Sequence, residues 1–361
     1  MTTDSDAHLH TRRRPTLGGL YRICRDEVPP ILIGRRALAS LDQIVATVPS
    51  HADTVGLELR LDGEDGRIDL GVGVSLKSGS DLFNMARVPD LSRAVHVDGR
   101  WRRIHDFGRR WTTESSWQLR APFLFFEYDE DVPLEPIPVP SVFVGLDWPL
   151  VELGEEARRL GREDPALTPG LSSVKQMLGT LRPQPLSAAA DSLFERCFAL
   201  MPTGGLVLHL AVMLGRPGAA VRLSLSVPCN EAPAYLDALG WSQGRSALER
   251  ALAFEADASG SILPQRIVQI DVDVGDALGS AVGLMLQPSP AGSWRRLLDA
   301  LVAAGYCDAA RRDALLAWPG TATAAGEGAP IERYLAHAKI TCGKNVEPKA
   351  KAYIGVRPAS P

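Results

Sequence analysis

Residues 204–227, GGLVLHLAVMLGRPGAAVRLSLSV, place two apolar, β-prone runs on either side of Pro217-Gly218. Such runs, broken by a Pro-Gly pair, are the mark of two antiparallel strands joined by a turn. Two segments with apolar residues three and four apart follow, EAPAYLDALG (231–240) and RSALERALAFEA (245–256), and these read as helices. The local unit is therefore strand, strand, helix, helix.

The plan recurs downstream. QRIVQIDVDV (265–274) and GSAVGLMLQP (279–288) supply the second strand pair, and SWRRLLDALVAAGY (293–306) with DAARRDALLAWPG (308–320) supplies the second helix pair. Asp308 is placed to cap the last helix and Pro319-Gly320 to stop it. HAKITCGKNVEPKAKAYIGVRP (337–358) ends the chain with a hairpin, strands 336–342 and 349–356 around Gly343-Lys344-Asn345. Successive pairs begin roughly sixty to seventy residues apart, so the repeat is a degenerate ββαα unit.

Upstream the same plan is fainter. TVGLELRLD (54–62) pairs with RIDLGVGVSL (67–76), and PFLFFEYDE (122–130) with SVFVGLDW (141–148). VELGEEARRLGR (151–162), LSSVKQMLGTL (171–181) and SAAADSLFERCFAL (187–200) read as helices. The expectation is an α+β protein of repeated ββαα units with about five strand pairs. Its antiparallel sheet either closes into a barrel, with helices outside and a chamber inside, or stays open with helices on one face. Closure removes the exposed edges that invite aggregation. Residues 1–15 read as a disordered tail, 16–200 as an N-terminal α+β half and 201–361 as a C-terminal repeat half, with one continuous domain the other possibility.

Composition narrows the function classes. A hydrophobic fraction of 45% with 23% charged residues is that of an ordinary globular chain, and no run approaches a membrane-spanning length. The N-terminus, MTTDSDAHLHTRRRPT, lacks the apolar core of a secretory signal. Five scattered cysteines with no C-x-x-C pair fit reduced thiols in the cytoplasm. A net charge of −4 argues against a nucleic-acid partner. No G-x-S-x-G elbow, P-loop, H-E-x-x-H or strand-following G-x-G-x-x-G is present, which sets aside the standard hydrolases, kinases and dehydrogenases, and no cofactor is expected.

The strongest local bias is RAVHVDGRWRRIHDFGRRWTTESSWQLR (93–120), seven arginines interleaved with Trp101, Trp111 and Trp117. Arg100, Arg102 and Arg110 with Trp101 and Trp111 suit a peptide partner, through forked carboxylate pairing and stacking. The structural alternative is a strand pair with solvated arginines and core tryptophans. His96 and His105 beside Asp98 and Asp106 form a conceivable ligand set, but the spacing matches no metal motif and surface histidines are the expectation. His209 reads as a core histidine, and His337 as a residue able to face a chamber.

Strand alternation puts Asp271 and Asp273 on one face, as it does Glu127, Asp129 and Asp131 in and after their strand. It likewise groups Lys349, Lys351 and Tyr353, with Lys339 joining them if the hairpin register permits. Lys339, Lys351 and Tyr353 complete the candidate binding set.

The ββαα plan resembles the prenyltransferase barrel of metal-independent aromatic and peptide prenyltransferases. That resemblance implies Arg, Lys and Tyr side chains on inner strands around a diphosphate. Here it is carried by Lys351-Ala352-Tyr353, a K-x-Y alternation, while the equivalent strands read Arg222-Leu223-Ser224 and Gly283-Leu284-Met285. Residues 294–320, followed by H-A-K-I and A-K-A-Y-I-G-V, are similar to the peptide-binding accessory proteins of crocagin-type pyrroloindoline biosynthesis, over about the last 160 residues. This second resemblance implies a non-catalytic protein that presents a ribosomally made precursor peptide, by leader or core, to a modifying oxygenase or cyclase. The alternative is a prenyltransferase with Lys351, Tyr353, Lys339 and Arg222 on the diphosphate, and a third reading is a purely structural partner in a complex.

Overall fold

The structure is a computed structural model and describes residues 16–61, 66–84, 89–118, 121–134, 137–146, 167–216, 218, 220–241, 244–259, 266–288, 293–323, 330–343, 346 and 348–359. The anticipated tail at 1–15, the helix anticipated at 151–162 and Lys344-Asn345 of the final turn lie outside these residues.

The strands are β1 (Thr54–Arg60), β2 (Ile68–Ser75), β3 (Phe123–Tyr128), β4 (Ser141–Gly145), β5 (Leu206–Val212), β6 (Val221–Pro228), β7 (Ile267–Val274), β8 (Leu278–Leu286), β9 (Gly320–Thr323), β10 (Pro330–Gly343) and β11 (Lys349–Pro358). Each neighbouring pair is antiparallel, from β1 through β8, then β10, then β11, and β11 returns to β1. Ten strands thus close a barrel, which is the closed form of the two sheets expected. The short β9 stands outside the ring, paired with residues 330–333 of β10. The same β10 turns to β8 farther along, at Ala338 to Gly343. β4 pairs with β5, so the ring runs through both halves of the chain.

Alternation along each strand separates two environments. On β1 and β2, Val55, Leu57, Leu59, Ile68, Leu70, Val72 and Val74 point outward and are buried. Thr54, Gly56, Glu58 and Arg60, with Asp69, Gly71 and Gly73, face the lumen. Burying each aliphatic side chain contributes roughly 1.5–3 kcal/mol. The outer apolar shell therefore holds the helices on, and the lumen is left free to be polar.

The helices are amphipathic for the same reason. In α1 (Leu17–Glu27), Leu17, Leu20, Tyr21 and Cys24 share the buried face, and the Thr16 hydroxyl accepts the Gly19 N–H at 3.1 Å. Next come α2 (Arg35–Thr47), α3 (Leu76–Leu82), α4 (Pro89–Val97), α5 (Gly99–Thr113) and α6 (Ser115–Gln118). They are followed by α7 (Leu167–Leu181), α8 (Ala188–Ala199), α9 (Ala232–Ala238), α10 (Arg245–Ser259), α11 (Trp294–Ala303) and α12 (Ala309–Ala317). The repeats at 204–358 are therefore β5-β6-α9-α10, β7-β8-α11-α12 and β10-β11. Asp308 caps α12 as anticipated, its Oδ1 accepting the Arg311 N–H at 2.7 Å.

The Arg/Trp-rich segment corrects its structural alternative. It forms helices, with Asp98 accepting the Arg100 N–H at 2.7 Å to start α5. Trp101, Ile104, His105, Gly108 and Trp111 fall three and four apart and make one buried face. Among the described residues, no helix is long and apolar enough to cross a membrane.

Candidate active site

The inner faces of the ten strands enclose a cavity of about 380 Å³, within the range of small-molecule sites. Its space owes much to Gly56 and Gly71, which sit opposite one another on β1 and β2. A Cβ at either would approach only backbone, at 3.4 and 3.7 Å, so each leaves bare main chain facing the cavity. Phe125, Phe143, Met285 and His209 line the wall together with Glu58, Asp69, Glu127, Arg222, Asp271 and Lys339.

The closing hairpin supplies much of the charge. Lys339 and Lys351 are direct partners across β10 and β11, as are His337 and Tyr353. A register shift between Leu335 and His337 turns the imidazole inward, where it stacks on Tyr353 with ring centroids 4.0 Å apart and planes at 23°. The Lys339 Nζ stands 5.3 Å from the centre of the Tyr353 ring. Lys349 shares the face but is exposed.

The inward-facing cations are already paired with anions. The Lys351 ammonium and the Tyr353 hydroxyl both donate to Glu58, and Arg60 lies 3.4 Å from the same carboxylate. Lys339 donates to Asp271 at 2.9 Å, and Ser224 donates to the other oxygen at 2.5 Å. Arg222 forks onto Asp273 at 2.8 and 3.0 Å. Arg216 forks onto Asp129 and donates to Glu127, and Arg60 donates to Asp69 at 2.9 Å. Among the described residues, six carboxylates, Glu58, Asp69, Glu127, Asp129, Asp271 and Asp273, thus meet five cations, Arg60, Arg216, Arg222, Lys339 and Lys351.

Burial and pairing set the protonation states in different directions. Burial raises the Glu58 carboxyl, but Lys351, Lys339 and Arg60 outweigh it and hold the group far below the usual carboxylate range. Burial opposes Asp271 also, and Lys339, Ser224 and Arg222 bring it down to about 2. Asp69 is pushed up to about 7 by burial and then by the Glu58 charge. Burial, and the adjacent Lys339 after it, lower His337 to about 3, so its imidazole is neutral. Burial lowers Lys351 below its ordinary value, whereas Asp271 and Glu58 overcome burial and raise Lys339.

The anticipated binding set divides in two. Lys339, Lys351 and Tyr353 come together on inner faces, joined by Arg222 of the prenyltransferase alternative and by His337, Asp271, Asp273 and Glu127. Trp101, Trp111, Arg100, Arg102 and Arg110 lie on α5, outside the ring. The Trp101 and Trp111 rings are buried, donating to the Pro138 and Ala121 carbonyls at 3.0 and 2.5 Å. Arg100 pairs with Asp98, Arg110 pairs with Glu114 and lies over Trp117, and Arg102 is exposed.

His105 is buried, contrary to the surface position expected, while His96 is exposed and bonded to the Ser92 carbonyl. No group of three or more His, Cys, Asp or Glu is placed to hold a metal among the described residues. His209 faces the cavity with its ring edge-on to Phe123, so the core position expected for it is also corrected. Glu58, Arg60, Asp69 and Arg216 were not singled out from sequence. The signal that marks the first three is an ionisable residue at alternate positions of strands whose other face is wholly aliphatic.

No protein-family model matches the chain, and no curated protein matches its sequence. The likeness to crocagin-type accessory proteins therefore finds no support in these comparisons. Solved structures do match. The apo form of the prenyltransferase PriB is 17% identical, with 95% of this chain and 96% of that chain covered at a TM-score of 0.52. PriB in ternary complex with L-tryptophan and dimethylallyl thiolodiphosphate matches at 16% identity, the same coverage and a TM-score of 0.52. PriB in binary complex with product diphosphate matches at 17% identity, again over 95% and 96%, with a TM-score of 0.51. At these identities the likeness establishes the barrel fold.

Proposed function

We propose that this chain transfers a prenyl group from an allylic diphosphate to an aromatic acceptor inside the barrel. The observation that carries the reading is the meeting of Lys339, Arg222 and Tyr353 around one cavity, with Lys351 held on the cavity-lining Glu58. A diphosphate leaving group needs fixed cations and hydroxyl donors in a place poor in water, where such charges act strongly. Phe125, Phe143, Tyr353 and His337 supply the π faces that an allylic cation and a flat acceptor require. PriB, which shares this fold, forms a ternary complex with L-tryptophan and dimethylallyl thiolodiphosphate, and that supports an indole-type acceptor here.

In the mechanism this geometry favours, the diphosphate takes the ammonium of Lys339 or Lys351 and the Tyr353 hydroxyl in exchange for their carboxylates. Breaking a buried pair costs several kcal/mol, and a ligand with multiple negative charges is of the kind that offsets it. The neutral His337 ring stays against Tyr353 and adds no competing charge.

A second reading is a non-catalytic barrel that holds a precursor peptide for modifying enzymes. One observation favours it: among the described residues, Arg222, Lys339 and Lys351 are each already paired with a carboxylate. Calorimetric titration separates the two. Binding of dimethylallyl thiolodiphosphate, with turnover of dimethylallyl diphosphate and L-tryptophan or a tryptophan-containing peptide, supports transfer. Peptide binding with neither diphosphate binding nor turnover supports presentation and ends the transfer reading.

A further inference from the structure

We propose that Asp69 is the proton acceptor of the reaction, an inference that rests on the prenyl-transfer reading. In that reaction the allylic C–O bond breaks and its electron pair leaves with the diphosphate. A π pair of the arene forms the new C–C bond. The C–H pair at that carbon then returns to the ring, and one proton must pass to a base inside the chamber for each transfer.

The cavity wall holds few groups able to take it. Glu58 is engaged by Lys351, Tyr353 and Arg60, and Asp271 by Lys339 and Ser224, so both are stabilised as carboxylates and are weak bases. His337 and His209 are both lowered by burial, His337 to about 3, and are weak bases as well. Asp69 stands directly across from Glu58 on the neighbouring strand and lines the cavity beside the bare backbone of Gly71. Its bonds are few: one Arg60 nitrogen at 2.9 Å and the Glu130 N–H at 3.2 Å.

The charges that act on Asp69 come from every neighbouring element. Glu58 and Arg60 lie on β1, Arg67 just before β2, Glu127 on β3 and Asp129 just after it, and Arg216 beyond β5. Burial and Glu58 dominate, and a carboxyl raised to about 7 is a far better base near neutral pH than an ordinary aspartate. Two facing carboxyls driven apart in this way take different roles, one as a fixed anion and one as a proton carrier. Glu127 is raised too, by burial and then by Glu58, and its Arg216 contact matches the Arg60 contact of Asp69, but it does not face Glu58 across the strand pair, and its variant is the control that separates the two.

The test is single-turnover transfer from dimethylallyl diphosphate to L-tryptophan across pH 5.5–8.5, for the wild type, Asp69→Asn, Asp69→Glu and Glu127→Gln, with thiolodiphosphate affinity measured in parallel. The wild-type rate is expected to rise with pH through an ionisation near 7. Asp69→Asn should lose that limb and at least about 100-fold in rate while binding the thiolodiphosphate within about threefold, and Asp69→Glu should recover part of the rate. A wild-type rate independent of pH overturns the proposal even if Asp69→Asn does not fold. So does a limb that survives in Asp69→Asn or disappears only in Glu127→Gln, and in these cases the transfer reading stands. Absence of wild-type transfer to any indole removes the transfer reading itself, and this inference with it.

Discussion

Lys339 on β10 reaches Asp271 on β7 across an intervening strand, its Nζ 2.9 Å from the Asp271 Oδ2 over Gly283 of β8. A Cβ on Gly283 would lie 3.0 Å from the Lys339 Cδ and 3.4 Å from the Asp271 Cβ, so the missing side chain opens the path. The pair ties three strands together on the lumen side.

Removing one member of that pair leaves a buried charge alone. Lys339→Met or Asp271→Leu should each lower stability by about 3–5 kcal/mol, and the double variant should cost much less than the sum. Urea denaturation of the four proteins measures this. Costs that simply add would mean that the two groups are not coupled.

Asp69 and Asp271 should bend the pH dependence of stability in opposite ways. Asp271, lowered to about 2 from 3.8, stabilises the fold above its ordinary value and loses that contribution as pH falls toward 2. Asp69, raised to about 7 from 3.8, holds a proton in the folded state that the unfolded chain has released, so its contribution declines as pH rises across that window. The slope for one such group is at most about 1.4 kcal/mol per pH unit. Asp69→Asn should flatten that decline, so the stability of the wild type relative to the variant should fall between pH 5 and 8. An unchanged difference would show that Asp69 titrates as an ordinary carboxyl.

Arg216 holds Glu127 and Asp129 together. Arg216→Met should cost roughly 2–5 kcal/mol. The loss should be larger at pH 8 than at pH 5, because the Glu127 carboxyl, already raised by burial, takes up a proton more readily at the lower pH once the guanidinium is gone. Thermal melts at the two pH values read the difference directly, and equal losses would place the pair outside the low-dielectric chamber.

The α5 residues should separate by burial. Trp111→Ala should cost about 3–5 kcal/mol through the cavity it leaves, whereas Arg102→Ala should stay within about 0.5 kcal/mol. Titration of the folded Arg102→Ala protein with a precursor-type peptide then tests the peptide reading of this helix. Unchanged affinity removes Arg102 from it.

Much of the barrel was legible because its periodicities are strong. The alternation in VRLSLSV and KAKAYIGV identified strands and also the residues that share a face, and the inner grouping of Lys351 with Tyr353 and of Asp271 with Asp273 follows from it. The 93–120 segment was harder to read. Its tryptophans and arginines suggest a binding surface by composition, but the spacing of Trp101, Ile104, Gly108 and Trp111 is helical and puts both of these tryptophans in the core. Residue type pointed one way there and period the other, and the period governed burial.

The site itself was only half legible. Lys339, Lys351, Tyr353 and Arg222 were visible as basic or hydroxyl-bearing residues on strands, while Glu58, Asp69 and Arg216 were not. Their importance comes from partners far away in the chain, such as Lys351 for Glu58 and Asp129 for Arg216.

The sequence by itself determined the ββαα units, the strand faces and the absence of a standard catalytic motif, all consequences of local spacing. Only the tertiary structure decided that β11 returns to β1 and that the cations of the resulting chamber are matched by carboxylates. The Lys351–Glu58 pair joins residues 293 positions apart, and ring closure and the other charge pairs depend like it on register and burial, which no short window of sequence contains.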